Sequence, residues 1–189
     1  MNTIAIAIHG GAGQNSQFIE ANYDGYIEGL RTAVKHGHEL LLQGASALDV
    51  VEATVRVLED NPLFNAGRGS ALNSDGKVEM DAAIMDGHNL MAGAVSMVRH
   101  VKNPITLARK VMSNTKHVHI AGYGAEKLAE LNALEMMPED YFIVERQIND
   151  LKEEKSYGHG TVGCVALDSN GNMASATSTG PTWPCTSIG

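Results

Sequence analysis

The sequence is poor in cysteine, in positive charge and in long apolar runs, and each shortage excludes a class of protein. Its 189 residues include two cysteines, Cys164 and Cys185, too few for a disulfide framework, which favours a reducing compartment. Aspartate and glutamate total 22 against 14 lysines and arginines, and this balance argues against a nucleic-acid partner. No apolar run approaches the ~18 residues of a membrane span, and the first residues lack the features of a signal peptide. We therefore expect a cytoplasmic protein of one domain, with neither a membrane nor a nucleic acid as partner.

The most informative segment that is present is GHGTVGCVALD at 158–168. It follows a charged stretch that cannot bury apolar surface, so 145–160 is predicted to be a flexible linker. A strand begins at Thr161, the pair Asn-Gly occupies 170–171, and a second run of small and hydroxyl residues covers 173–179. Asn-Gly between two such runs is a strong signal for a β-hairpin.

Folding this hairpin brings two hydroxyl groups together at its open end. A two-residue turn places Thr161 opposite Gly180, whereas a one-residue bulge places it opposite Thr179, roughly 4.5–8 Å away by cross-strand spacing. A threonine after a glycine and a linker suits a hidden nucleophile, since its hydroxyl can attack the Gly160 carbonyl and cleave the chain. The freed α-amine, which titrates near pH ~8, then acts as the base of the threonine. An ordinary strand start explains the same residues, so this alternative stays open.

Alternating patterns of apolar residues along the chain predict a mixture of strands and helices. The first strand is apolar on both faces and is expected to be buried on both. The glycine-rich loop HGGAG at 9–13 follows it, and this loop either approaches the active site or makes a tight strand-to-helix turn. Asp81 either supports the active-site strands or is a hydrogen-bonded structural residue. The predicted helices cover 23–42, 46–58, 105–112 and 124–134, and the predicted strands cover 4–8, 82–85, 93–98 and 117–121. Gly44 is expected to end the first helix, Ser46 to cap the second and Pro104 to open the third.

The segment 58–70 forms a second chemical neighbourhood. An acidic helix end meets Pro62 and a glycine-spaced turn, which leaves carbonyl oxygens without helical partners. Carbonyl oxygens that converge on one point can bind a hard cation, although a self-satisfied turn is the alternative. Asn65 lies within this turn, and its amide group can both donate and accept hydrogen bonds.

Several blocks in order resemble the plant-type asparaginase/isoaspartyl peptidase family of N-terminal-nucleophile hydrolases. They are HGGAG at 9–13, PLFNAGRGS at 62–70, EMDAAIMDG at 79–87, GTVG at 160–163 and ATSTG at 176–180. The resemblance implies an α+β fold, a four-layer αββα sandwich. It also implies self-cleavage between Gly160 and Thr161, with 1–160 as the α fragment and 161–180 as the start of the β fragment.

The same resemblance implies a function and the residues that perform it. Thr161 would attack the side-chain amide of β-aspartyl dipeptides and L-asparagine, Thr179 would tune the nucleophile, and Asn65 would contact the small-molecule substrate. No cofactor would be needed for catalysis, and the assembly would be a dimer of αβ units. A structural sodium ion would be held, mostly through backbone oxygens, by Leu58, Glu59, Asn61, Phe64, Ala66 and Arg68.

The last residues depart from the family pattern. After Gly180 the family continues with an arginine and an aspartate that hold the substrate and with a threonine-glycine pair for the oxyanion, whereas 181–189 reads PTWPCTSIG. We therefore expect a truncated or frame-shifted product, with a non-family tail at 181–189 and with weak or absent turnover. The alternatives are a catalytically inactive remnant that acts as an interaction subunit and an amidase of the glycosylasparaginase type.

Overall fold

A computed structural model describes residues 3–12, 16–152 and 160–181. Within these ranges the chain forms one mixed sheet of six strands and seven helices, so the α+β class is confirmed. The strands are β1 Ala5–His9, β2 Met80–Asp86, β3 Ala92–Val98, β4 His119–Ala121, β5 Val162–Leu167 and β6 Met173–Thr179. The helices are α1 Gln17–Ala21, α2 Tyr23–Leu42, α3 Ala47–Glu59, α4 Pro104–Asn114, α5 Gly122–Leu131, α6 Glu139–Phe142 and α7 Glu145–Lys152.

The strand order is β1-β5-β6-β2-β3-β4, and the pairings are antiparallel except for the parallel pair β3 and β4. The chain therefore inserts its last hairpin, β5 and β6, between the first strand and the β2–β3 hairpin. This insertion puts Thr161, which precedes β5, and Thr179, which ends β6, in the interior of the sheet rather than at its edge.

The helices cover one face of the sheet, which we call the covered face. Helix α3 packs against β5 and β6, and α4 packs against β2 and β3. The strand residues that point to this side, such as Ile84, Val95 and Val162, are buried among apolar helix residues such as Val55. Ser46 caps α3 with its hydroxyl, and Gly44 after α2 adopts a φ of 84°, as the sequence signals for these helix ends predicted.

The opposite side, which we call the open face, has no helix of the described chain packed on it. Its side chains come from alternate strand positions and are mostly small or apolar, and Met85, Val165 and Met173 are 41%, 53% and 64% exposed. The expectation that β1 is buried on both faces is wrong. Strand β1 is an edge strand, and Ala5 and Ala7 are exposed on this side.

The prediction of a flexible linker over 145–160 is wrong for its first half, because α7 occupies Glu145–Lys152. The Gln147 side chain is buried and donates to the Gly69 carbonyl, and Arg146 lies 3.4 Å from Asp150 one helical turn later. Arg146 also donates to the Leu63 carbonyl over 3.2 Å, so α7 is fastened to the loop after α3 by a charged and by a polar side chain. Residues 153–159 of the predicted linker and 182–189 of the predicted tail lie outside the described residues.

The hairpin between β5 and β6 adopts the bulged register. Leu167 pairs with Met173 and Val162 with Ser178, so Thr161 lies beside Thr179 rather than Gly180. The turn spans residues 169–171 and ends on Gly171 with a φ of 83°, the geometry of a three-residue loop closed by a left-handed glycine.

Asp168 stabilises this turn and fastens it to the helical layer. Its Oδ1 accepts from the amides of Asn170 and Asn172, and its Oδ2 accepts from the amide of Ala47 at the start of α3. Burial by itself would raise the pKa of Asp168, but these backbone donors outweigh burial and hold the pKa below its ordinary value.

Among the helices within the described ranges, none is long and apolar enough to cross a membrane.

Candidate active site

Two threonine hydroxyls meet at the open end of the β5–β6 hairpin. Thr161 Oγ1 donates to Thr179 Oγ1 over 3.0 Å, and both residues are half-buried. The pair lies on the open face, because Thr179 alternates with the buried Ser178 along β6. A hydroxyl that already contacts a second hydroxyl has a route for its proton, which is what a threonine needs in order to act as a nucleophile.

The carbonyl of Gly160, directly before Thr161, receives two hydrogen-bond donors. Asn65 Nδ2 donates to this oxygen over 2.8 Å, and Thr179 Oγ1 lies 3.1 Å from it. Thr179 Oγ1 also lies 3.0 Å from the carbonyl of Gly180, so its single proton serves one of the two carbonyls at a time. Donors aimed at a carbonyl oxygen polarise it and stabilise negative charge that develops there, which is the requirement for attack on that carbonyl.

The side chain of Asn65 is held in this orientation by its own neighbours. Its Oδ1 accepts from the amide of Ala71 over 2.7 Å, which leaves Nδ2 directed at Gly160. Its backbone carbonyl accepts from the amide of Gly180 over 3.2 Å. A β carbon at position 180 would lie 2.4 Å from Asn65 Oδ1, so only glycine fits where β6 ends against this asparagine.

The glycine-rich loop after β1 reaches the same peptide bond. Gly11 has a φ of 127°, and a β carbon built on it would lie 3.4 Å from Gly160 Cα and 3.8 Å from Thr161 N. The sequence left two interpretations of this loop, approach to the active site or a tight turn, and the described part of the loop does approach Gly160. Residue 13 of the loop lies outside the described residues.

In the loop after α3, where a cation site was predicted, the backbone oxygens of Pro62 and Phe64 both lie close to Gly69. A β carbon on Gly69 would lie 2.4 Å from the Pro62 carbonyl oxygen and 2.9 Å from that of Phe64, so this glycine has a conformational reason to be there. Within the described ranges, the carbonyls of Phe64, Ala66 and Arg68 accept no backbone hydrogen bond, whereas those of Leu58, Glu59 and Asn61 do. A carbonyl oxygen has two lone pairs, so both groups retain capacity for a hard cation such as sodium. These carbonyl oxygens are therefore chemically suitable ligands for a sodium ion.

The carboxyl group of Glu59 is a feature of the site that sequence analysis missed. The side chain is fully buried, and burial raises the pKa of this carboxyl to about 8, against the hydrogen-bonding effects of Ser178, Ile105 and Asn103. The resemblance named Glu59 only as one of the sodium ligands, which were expected to act mostly through backbone oxygens. A glutamate at the end of an amphipathic helix gives no local signal that its side chain turns inward.

Asp81 lies directly opposite Thr179 in the pairing of β2 with β6. Its Oδ1 accepts from the amide of Met97, which has a φ of 55° beside an irregularity in the β2–β3 register. Burial raises the pKa of Asp81, although the Met97 amide opposes that shift. These contacts support the structural interpretation of Asp81, because its carboxylate compensates an unusual backbone conformation next to the threonine pair.

Comparison with known proteins gives relatives across most of the chain. Isoaspartyl peptidase/L-asparaginase from Mus musculus is 46% identical over 189 aligned residues, which cover 94% of this chain and 57% of that protein. The protein of the same name from Homo sapiens is 44% identical, with 95% of this chain and 61% of that protein covered. Isoaspartyl peptidase from Escherichia coli strain K12 is 41% identical, with 95% and 62% covered. The chain thus spans about three fifths of the length of these curated relatives.

The match to a family model agrees with the sequence blocks. The model described as asparaginase matches residues 2–158 and 153–183, which includes the glycine-rich loop, the Asn65 turn and the threonine pair, and which extends slightly beyond Gly180. The chain therefore belongs to the asparaginase family.

Proposed function

We propose that this chain is a self-cleaving threonine hydrolase that acts on β-aspartyl dipeptides and L-asparagine. The observation that carries the proposal is the arrangement around the Gly160 carbonyl, where the Thr161 hydroxyl is adjacent and Asn65 and Thr179 supply donors to the oxygen. The names of the relatives, isoaspartyl peptidase and L-asparaginase, support the choice of substrate class.

The first reaction is cleavage of the chain. Thr161 Oγ attacks the carbonyl carbon of Gly160, and negative charge on the carbonyl oxygen is stabilised by Asn65 Nδ2 and Thr179 Oγ1. The hydroxyl proton of Thr161 passes through the Thr179 hydroxyl to the departing nitrogen. The bond between Gly160 carbon and Thr161 nitrogen then breaks, and an ester joins Gly160 to Thr161 Oγ. Water hydrolyses the ester and leaves a carboxylate on Gly160 and a free α-amine on Thr161.

The second reaction is turnover of substrate. The free α-amine of Thr161, with an ordinary pKa of about 8, takes the proton of its own hydroxyl at neutral pH. The alkoxide-like oxygen attacks the side-chain amide carbonyl of the substrate and expels ammonia or the amine of a dipeptide. Water releases aspartate from the acyl-enzyme. Departure of Gly160 frees Asn65 Nδ2, which then contacts the substrate.

We further propose that the open face is the inner face of a four-layer αββα sandwich. Small apolar residues such as Ala7 and Ala83 make this face flat, and a sheet of this kind packs ~10 Å from a second sheet. The second sheet would enclose the threonine pair and exclude water from it. A dimer of αβ units and a cytoplasmic location complete this proposal.

The loop after α3 would hold a structural sodium ion. The oxygens of Leu58, Glu59, Asn61, Phe64, Ala66 and Arg68 would hold it. The ion would supply no chemistry to the reaction. It would keep the turn that carries Asn65 in its present shape, and the close carbonyls around Gly69 support this role.

The test is the intact mass of the purified chain during incubation at neutral pH, beside Thr161→Ala. We expect two fragments that meet between Gly160 and Thr161 in the unaltered chain and a single mass of 20.1 kDa in the variant. Release of aspartate from a β-aspartyl dipeptide then measures turnover. An uncut chain without turnover would contradict the proposal and favour an interaction subunit. Turnover of a glycosylated asparagine in preference to a β-aspartyl dipeptide would favour the amidase alternative.

A further inference from the structure

Behind the threonine pair, on the covered face, lies a buried polar contact that the reaction as derived above does not use. Ser178 separates Thr177 from Thr179 on β6, and its side chain points away from the open face and is 1% exposed. Glu59, the last residue of α3, approaches it from the helical layer and is fully buried. A fully buried carboxyl group requires hydrogen-bonding partners.

The carboxyl group of Glu59 contacts two other elements. Its Oε1 accepts from the amide of Ile105 over 3.0 Å, at the N-terminus of α4. Its Oε2 and the Ser178 hydroxyl are both buried, and neither forms a hydrogen bond of standard geometry within the described chain. Ser178 is nevertheless close enough to act as a hydrogen-bonding influence on the carboxyl. The Asn103 side chain is a smaller influence of the same kind, so the serine hydroxyl is the stronger of the two side-chain donors beside the carboxyl.

The backbone of Glu59 holds the turn that carries Asn65. Its carbonyl accepts from the amide of Arg68 over 2.8 Å, and a β carbon on Gly67 would lie 2.5 Å from that same oxygen. One residue thus touches the Asn65 turn through its backbone and β6 through its side chain. These are the two segments that supply the donors to the Gly160 carbonyl.

We propose that Glu59 and Ser178 are positioning residues for the threonine pair. The contact between the Glu59 carboxyl and the Ser178 hydroxyl fixes the position of β6 relative to α3. In that position Thr179 Oγ1 lies between Thr161 Oγ1 and the Gly160 carbonyl oxygen. Neither side chain touches the reacting atoms, and both act through Thr179 and the Asn65 turn. The inference rests on the proposed function and deepens it, since it names the residues that keep the reacting groups aligned.

The first test removes the serine hydroxyl. We expect Ser178→Ala to slow self-cleavage at least about tenfold, since misplacement of reacting groups by ~1 Å costs up to ~10²-fold in rate. The matched control is Thr54→Val, which removes another fully buried hydroxyl without standard hydrogen bonds, from the same helix as Glu59. It should leave the rate within about twofold. Equal rates in Ser178→Ala and the unaltered chain would overturn the proposal.

The second test separates positioning from bulk. Glu59→Gln keeps an acceptor for the Ile105 amide and a polar donor beside Ser178, so it should retain most of the cleavage rate. Glu59→Met fills a similar volume without either bond and should slow cleavage as Ser178→Ala does. The double variant of Glu59→Met and Ser178→Ala should be no slower than the slower single variant, because both remove one contact. Additive losses would contradict a shared contact.

Hydrogen exchange gives a readout that does not depend on cleavage. Ser178→Ala and Glu59→Met should raise amide exchange at 177–179 and leave β3 unchanged, whereas Thr54→Val should do neither. If the unaltered chain does not cleave itself, the proposed function fails, and exchange at 177–179 alone decides this inference. Unchanged protection there in both variants would overturn it.

Discussion

The two faces of the sheet differ more than any other two regions of the described chain, although the same strands build both. On β6, Ala174, Ala176 and Ser178 point into the helical layer, while Thr177 and Thr179 point to the open face. The covered face holds the core and the anchoring contacts, and the open face holds the reactive hydroxyls. Alternation along one strand therefore lets neighbouring residues serve stability and chemistry separately.

The largest expected effect concerns the open face. Thr161→Ala should abolish self-cleavage completely while it leaves the midpoint of thermal unfolding nearly unchanged. The reason is that the residue is half-buried and its hydroxyl, within the described chain, hydrogen-bonds to Thr179 alone. Intact mass and calorimetry check the two halves of this prediction. Cleavage that persists between residues 160 and 161 would identify a different nucleophile.

The second prediction concerns Asn65, whose side chain extends from the loop after α3 and donates a hydrogen bond to the Gly160 carbonyl. Asn65→Ala should slow self-cleavage about 10²–10³-fold, the usual effect of losing an oxyanion donor. Gel densitometry over time measures the rate. Asn114→Ala, an exposed asparagine bonded to Asn132, is the control and should cleave at the normal rate. A similar loss in both variants would point to general destabilisation.

The third prediction compares neighbours on β2. Ile84 is 2% exposed on the covered face and Met85 is 41% exposed on the open face. Ile84→Ala should lower the free energy of unfolding by about 3 kcal/mol, because it removes buried apolar volume from a packed core. Met85→Ala should change it by less than about 1 kcal/mol in this chain. Urea denaturation measures both. A large loss for Met85→Ala would mean that this side of the sheet is covered in solution.

The smallest expected effect concerns the hydrogen bond between Asp168, in the β5–β6 hairpin, and the amide of Ala47 at the start of α3. Asp168→Asn should lower stability by about 2 kcal/mol at pH 7, since an ionised acceptor with backbone donors contributes about 1.5–3 kcal/mol. The folded-state pKa is lowered, so the contribution is full above the unfolded pKa of about 3.9 and is lost as pH falls through the folded value. The difference between the two proteins should therefore shrink below about pH 4. A constant difference down to pH 2 would contradict the assigned ionisation.

Local chemistry made much of the fold predictable. Ser46 and Gly44 marked helix ends, Pro104 marked a helix start, and the Asn-Gly pair at 170–171 marked the hairpin, because caps and turns depend on the residues at those positions. Thr161 and Thr179 were brought together as the bulged register predicted. Their catalytic roles stay predictions.

The mistakes in prediction concern contacts between distant segments. Segment 145–152 was expected to be a linker because it is highly charged, but Gln147 reaches the Gly69 carbonyl, which only the folded chain offers. Strand β1 was expected to be buried on both faces because its residues are apolar. It lies at the edge of the sheet, however, and no described helix covers the open face, so one side of the strand is exposed.

The sequence by itself determined the succession of the strands and of helices α2 to α5, the glycine–threonine junction and the membership of a family, since each depends on residues close together in the chain. Only the tertiary structure decided that Asn65 lies 2.8 Å from the Gly160 carbonyl and that the Glu59 carboxyl turns inward behind Thr179. Contacts across 95 residues follow from how the helices pack on the sheet. Periodicity along the chain does not encode that packing, because it specifies which side of an element is buried and not what lies against it.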